Sequence, residues 1–123
     1  MLAYLGDSVL EVAVREFLLS VCPDPAACNR AALQFVTASA QSEAAKKMIP
    51  FLTEEERERF TRFKNAKSPS NPRNVDLYSY RLATALEAMF GLWHLEGNSE
   101  REKEIFSLIY SEKLKSFSPK TSE

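Results

Sequence analysis

Apolar residues recur at three- and four-residue intervals through most of this chain, a spacing that gathers them on one face of a helix. The first such stretch, between Leu2 and Leu19, carries the pattern through Leu5, Val9, Val12, Ala13 and Phe17. No segment alternates apolar and polar residues as a strand does, and no turn dipeptide separates β-branched runs. We therefore expect an all-α domain of about six helices.

Prolines and capping residues divide the chain into these helices. Pro23 and Pro25 end the first helix, a second runs from Ala26 to about Thr37, and a third covers 41–49 before Pro50.

Capping boxes mark the later helix starts. Thr53 and Glu56 fit this motif, which predicts a helix to about Lys64, and Ser99 with Glu102 fits it again. Between them, the turn formers of 65–74 predict a loop, and the apolar segment 76–95 predicts a long helix.

The chain is long enough for one domain, since its 123 residues can bury a single core but not a second module. We expect the domain to cover 1–115 and a disordered tail to cover 116–123.

No apolar run is long enough to cross a membrane and no signal peptide is recognisable, so we expect a cytoplasmic protein. Cys22 and Cys28 are expected to be free thiols.

The first helix carries a polar stripe, because Ala3, Asp7, Glu11 and Arg15 follow one another at four-residue intervals. Asp7 and Glu11 would repel each other unless something compensates. One interpretation is that Arg15 pairs with Glu11 while Asp7 faces water; the other is that Asp7 belongs to a site.

Glu87 is the only ionisable residue within 82–92, an otherwise apolar segment. A charge buried there is costly without a partner. A Mg²⁺ ion bridging Glu87 and Asp7 would supply one, because hard cations prefer carboxylate oxygens. A salt bridge from Glu87 to Arg81 or Arg15 would serve equally well, and the spacing does not separate the two.

Basic residues concentrate in 57–73, where one acid, Glu58, leaves a formal charge of +5. The basic residues are Arg57, Arg59, Arg62, Lys64, Lys67 and Arg73. A solvated helix face paired with 54–56 would explain the first two but not the loop residues, for which we favour contact with RNA phosphates. The net charge of −1 argues against polyanion binding by the whole surface.

Nucleophilic catalysis by a Ser-His-Asp triad has little support. His94 is the only histidine, and the chain has neither a Gly-x-Ser-x-Gly turn nor a glycine loop for phosphate. We expect His94 to be a surface residue at a helix end.

Two segments resemble a known family. Residues 2–11, LAYLGDSVLE, resemble the signature helix of the ribonuclease III family, and 85–91, ALEAMFG, resemble its second acidic motif. With 62–68 and 76–81, the resemblance is closest to the Mini-ribonuclease III branch, which lacks a double-stranded-RNA-binding domain. It extends to about Ile109.

The resemblance implies a ribonuclease III-like endonuclease domain that forms a two-fold homodimer and cleaves double-stranded RNA to 5′-phosphate and 3′-hydroxyl ends. It implies Mg²⁺, with Mn²⁺ as a substitute, and maturation of the large-subunit (23S) ribosomal RNA precursor, in which a ribosomal protein could assist. Asp7 and Glu87 match the catalytic metal ligands, and Tyr4 matches an aromatic dimer contact. The expected RNA-binding residues are Arg62, Lys64, Asn65, Lys67 and Arg73.

Two positions depart from the ordinary ribonuclease III pattern, because Ala3 and Thr84 stand where acids are usual. Two carboxylates in place of four predict weak metal affinity without RNA. The relatives usually carry residues before the signature helix, so truncation of this chain and a misassigned start both stay open. Two further hypotheses stay open: a catalytically inactive RNA-binding or ribosome-assembly module with this fold, and a purely structural helical dimer.

Overall fold

The structure is a computed structural model that describes residues 1–66 and 76–117, and within these ranges it contains helices and no strand. Seven α-helices and one 3-10 turn follow in chain order: α1 Leu2–Leu19, α2 Pro25–Val36, α3 Ala38–Met48, the 3-10 turn Ile49–Phe51, α4 Glu54–Asn65, α5 Leu77–Leu95, α6 Ser99–Ile109 and α7 Ser111–Ser116. The all-α prediction is confirmed. The predicted helices correspond to α1–α6, and α7 is a short addition.

Side-chain caps explain most of the helix starts. The Asp24, Thr37 and Asp76 side chains each accept a backbone N–H at the starts of α2, α3 and α5. The capping box at Thr53 is confirmed in full, with both reciprocal hydrogen bonds present.

The capping box predicted at Ser99 is wrong by one residue. Asn98 is the N-cap of α6, and its side-chain oxygen accepts the Arg101 backbone N–H at 3.2 Å. Asn98 follows Gly97, whose positive φ of 70° turns the chain out of α5. Once the chain turns there, Asn98 rather than Ser99 is the first residue placed to cap.

Helix α5 is the centre of the domain, with α1, α3, α4 and α6 packed around it. It is buried on most sides, which explains why its sequence is apolar almost all round. Its buried residues are Leu82, Ala83, Ala85, Leu86, Ala88, Met89, Phe90, Gly91 and Trp93.

Helices α1 and α5 touch through their backbones at two glycines. A Cβ atom added to Gly6 would lie 1.6 Å from the Glu87 carbonyl oxygen, and one added to Gly91 would lie 2.3 Å from the Leu2 carbonyl oxygen. Any side chain at either position would force the helices apart. This close crossing brings the second turn of α1 against the middle of α5.

The other side of α5 is fixed by a partly buried ion pair between α4 and α6. Arg101 Nη2 lies 2.7 Å from Glu56 Oε1, donates to the Phe51 carbonyl oxygen at 2.8 Å, and its guanidinium carbon lies 5.8 Å from the Trp93 ring centre. The donors of Arg101 are therefore well satisfied, which a largely desolvated charge requires.

The folded domain extends past the predicted boundary at residue 115. Ser116 is the last residue of α7, and the Phe117 ring packs 6.1 Å from Phe17 and 6.0 Å from Phe35, centre to centre. The remainder of the predicted tail, 118–123, lies outside the described residues. No helix in the described ranges combines the length and hydropathy that spanning a bilayer demands.

We predict that Gly6→Ala destabilises the protein by about 3 kcal/mol or more, because the clash is with backbone that no rotamer change can relieve. Gly97→Ala is the matched control, because nothing lies within 4 Å of the added Cβ and only the positive φ opposes the change. We expect this variant to lose about 1 kcal/mol of stability. Urea unfolding monitored by circular dichroism measures both. Equal losses in the two variants would contradict the backbone contact.

Candidate active site

The two acids singled out from the sequence lie against each other. Asp7 is exposed on α1, immediately after the Gly6 contact, and Glu87 is partly buried on α5, one turn before Gly91. Burial, and next the negative charge of Asp7 and a hydrogen bond with it, raise the pKa of Glu87 to about 8. The crossing of α1 and α5 thus creates a pair of carboxyl groups in direct interaction.

The salt-bridge alternative for Glu87 is wrong. Arg15 pairs with Glu11 at 3.0 Å on the exposed side of α1, as one interpretation of the polar stripe predicted. The buried Nε of Arg81 has no hydrogen-bond partner, so this arginine is not bound to Glu87 through that atom. Within the described ranges, no basic side chain lies within ion-pair distance of Asp7 or Glu87.

The chemistry of this pair fits a divalent cation. Two carboxylates that interact without a basic partner repel each other when both are ionised, and a hard cation between them would remove the repulsion. Among the described residues, no group of three or more potential ligands forms a metal cluster, so water would have to complete the coordination shell. Thr84 does not extend the set, because its hydroxyl donates to the Tyr80 carbonyl oxygen at 2.9 Å.

A residue that the sequence reasoning missed, Gln41, also reaches the site. It lies near the start of α3, and its side-chain amide lowers the pKa of Glu87 against the larger raising effects of burial and Asp7. The residue is only 6% exposed. The one sequence signal that could have indicated this role is a polar residue in helical register with the buried Ala44, Ala45 and Met48.

The predicted RNA-binding residues are only partly described. Arg62 and Asn65 are exposed and Lys64 is half-buried, all in the last turns of α4. Neither basic side chain has a carboxylate partner in the described part of the chain. Lys67 and Arg73 lie outside the described residues.

The neighbouring arginines of α4 have structural partners instead. Arg59 pairs with Glu96 at 3.3 Å, and the Arg57 Nε atom donates to the Ile49 carbonyl oxygen at 3.4 Å. The sequence analysis considered ion pairs between these two arginines and the acids of 54–56, and that pairing is wrong. Both arginines nevertheless bind other groups within the domain. His94 is exposed in the last turn of α5, as expected.

An open groove of about 720 Å³ runs between α1, α6 and α7. Its apolar lining consists of Leu5, Val9, Val12, Ala13, Phe17, Phe106 and Leu114. Three large apolar side chains of α1 are exposed, Tyr4 at 81%, Val12 at 55% and Leu19 at 78%, and of these Val12 lines the groove. An exposed apolar area of this kind is typical of an interface.

Comparison with known proteins agrees with this architecture. Residues 1–98 match the Ribonuclease III domain. The crystal structure of protein FN1578 from Fusobacterium nucleatum superimposes with a TM-score of 0.79 at 33% identity, covering 89% of this chain and 90% of that one. The class of protein is thus an endoribonuclease with a ribonuclease III domain.

Individual relatives show to which branch of the ribonuclease III family the chain belongs. Mini-ribonuclease 3 from Enterococcus faecalis is 37% identical, covering 86% of this chain and 83% of its own. Mini-ribonuclease 3 from Brevibacillus brevis is 40% identical, covering 89% of this chain and 83% of its own. Mini-ribonuclease 3 from Staphylococcus aureus is 32% identical, covering 88% of this chain and 83% of its own. The chain belongs to the ribonuclease III family, in its Mini-ribonuclease 3 branch.

The raised pKa of Glu87 predicts a pH-dependent stability without metal. Its pKa is about 8 in the folded protein against an ordinary value of 4.5, so between these values the folded chain holds a proton that the unfolded chain releases. The free energy of unfolding should therefore fall as pH rises through this window, by up to about 1.4 kcal/mol per pH unit. Urea unfolding in EDTA at several pH values measures the slope.

Glu87→Gln is the variant that tests the cause, since it keeps the shape and removes the ionisation. We expect it to flatten the pH dependence and to be more stable than wild type near pH 8. An unchanged slope in this variant would show that another group is responsible.

Proposed function

We propose that this chain is a Mg²⁺-dependent endoribonuclease that cleaves double-stranded RNA as a homodimer, with Asp7 and Glu87 as its catalytic metal ligands. Mn²⁺ would substitute for Mg²⁺. The observation that carries the proposal is the direct interaction of these two carboxyls without a basic partner among the described side chains. The proposed products are 5′-phosphate and 3′-hydroxyl ends.

Asp7 and Glu87 have different tasks in this proposal. Glu87 is held by the core and anchors the cation, whereas the exposed Asp7 faces the side from which RNA arrives. The cation, when bound, supplies Lewis acidity for the phosphodiester and for the attacking water. With only two carboxylates, substrate phosphate oxygens are expected to strengthen the binding.

The substrate would be held by the end of α4 and by the segment that follows it. Arg62, Lys64 and Asn65 support this, because the two basic side chains are not neutralised by acids of the described chain. They directly precede the segment with Lys67 and Arg73. Such residues contact phosphates and 2′-hydroxyls and recognise A-form RNA by shape. The proposed substrate is the large-subunit ribosomal RNA precursor in the cytoplasm, where a ribosomal protein could assist.

The groove on α1 supports the homodimer. The exposed Tyr4 and Val12 and the apolar lining between α1 and α6 would be covered by a second copy, with Tyr4 entering the partner. A duplex has two strands, and a two-fold dimer would present one site to each.

An inactive RNA-binding or ribosome-assembly module is the alternative function. The retained pair Asp7 and Glu87 opposes it, since a module that only binds RNA has no need of two repelling carboxyls. A purely structural helical dimer would explain the groove but neither the acidic pair nor the unpaired basic residues.

We predict that Asp7→Asn and Glu87→Gln each lower the cleavage rate of an end-labelled RNA duplex by more than about a hundredfold, because each removes a metal ligand. Glu100→Gln, an exposed acid of α6, is the matched control and should cleave normally. Assays with Mg²⁺, Mn²⁺ and EDTA, on variants confirmed to be folded dimers, provide the measurement. A wild-type dimer that binds RNA yet does not cut it with Mg²⁺ would favour the inactive module.

We also predict that Val12→Asp shifts the protein toward monomer, because it places a charge in the apolar groove. Leu33→Asp is the control, since Leu33 is an exposed apolar residue of α2 outside the groove lining. Sedimentation velocity over a concentration series measures the dissociation constant of each. Equal dissociation constants for the two variants would place the dimer interface elsewhere.

A further inference from the structure

Arg81 is a basic residue of α5 whose side chain has no partner in the described part of the chain. Its Nε atom is enclosed by the fold and makes no hydrogen bond. Among the described residues that are at least partly buried, it is the only enclosed side-chain nitrogen or oxygen without one. Arg81 also takes part in none of the ion pairs or side-chain hydrogen bonds of these residues. An enclosed donor without an acceptor costs free energy, which indicates that its partner lies outside the chain.

The outer end of this side chain is open. Arg81 as a residue is half-buried, and its two Nη atoms, which also lack partners, are not among the enclosed atoms. The packing therefore holds the guanidinium at its root and leaves its planar fork of N–H donors facing solvent. Such a fork matches two oxygens of a phosphate group, which makes an unpaired arginine a suitable anion site.

The open fork lies on the same stripe of α5 as Glu87. Between 81 and 91, the three residues that the core does not bury are Arg81, Thr84 and Glu87, which follow one another at three-residue intervals. Two such intervals correspond to about 9 Å along a helix axis. Thr84, between them, donates its hydroxyl to the Tyr80 carbonyl oxygen. The accessible stripe of α5 thus has an acidic end at Glu87 and a basic end at Arg81.

We propose that Arg81 binds a backbone phosphate of the RNA strand that is cleaved at Asp7 and Glu87. The proposal rests on the proposed function, in which a cation at these two carboxyls holds the scissile phosphate. A strand that lies along the stripe places a second phosphate beside Arg81. The arginine then fixes the direction of the strand across α5, and it does so without reading the bases.

A purely structural role for Arg81 makes the opposite prediction about stability. An arginine that holds the fold together destabilises it when it is removed, whereas removal of an unpaired enclosed donor does not. Arg81→Met keeps a long unbranched stem that favours helices and removes every donor. We expect this variant to have a urea midpoint at least as high as that of wild type. A substrate-binding residue that costs stability in the free protein would explain this result.

The same variant tests RNA binding. We expect its dissociation constant for a fluorescein-labelled RNA duplex, measured by fluorescence anisotropy in EDTA, to rise by about tenfold. The slope of log Kd against log salt concentration should become shallower by about one, the change expected when one phosphate contact is lost. Arg81→Lys is the second variant. It keeps the charge and should keep the wild-type slope, with a weaker affinity because the fork is lost.

Arg30→Met is the matched control, because Arg30 is an exposed arginine of α2, a helix that packs on α1 and α3. It should bind the duplex with wild-type affinity and salt dependence. Wild-type affinity and slope in Arg81→Met would overturn the proposal. So would a marked loss of stability in this variant, or weaker binding that sedimentation velocity traces to loss of the dimer. Failure of folded wild type to bind the duplex would instead overturn the proposed function.

Discussion

The backbone contact between α1 and α5 is the constraint on which both the core and the candidate site depend. At Gly6 and Gly91 the two helices approach more closely than any side chain would permit. Asp7 follows the first glycine directly, and Glu87 precedes the second by one turn. The distance between the two carboxyls is therefore set by main-chain packing, which is much stiffer than side-chain packing.

This constraint has an energetic cost that the core must offset. The helix that carries Glu87 is surrounded by four others, and burial together with Asp7 opposes ionisation of its carboxyl. On the far side of α5, Arg101 and Glu56 fasten α6 to α4 with a pair whose donors are satisfied. The domain thus contains one partly buried pair of opposite charge, Arg101 and Glu56, that holds it together, and one pair of carboxyls, Asp7 and Glu87, whose mutual repulsion opposes ionisation of Glu87.

Most of the fold could be predicted from local sequence, and the site only in part. Helices α1–α6 follow from apolar spacing and caps, but adjacent Asn98 and Ser99 are both good caps, and the backbone turn at Gly97 decides between them. The sequence singled out Asp7 and Glu87 as candidates but could not exclude Arg81 as the partner of Glu87, because α5 is apolar almost all round and its rotation is set by its neighbours. Gln41 was missed because its contact with Glu87 is tertiary and leaves no periodic signal.

Helix α1 links the two surfaces that the proposed function requires. Gly6 fixes it to α5, Asp7 faces Glu87, and Val9 and Val12 line the groove proposed for the partner subunit. Glu87 is held by α5 in the core, whereas Asp7 is positioned by α1 alone. A partner subunit that covered the groove would restrain α1. Dimer formation would therefore also restrain Asp7, the carboxyl that the core does not fix.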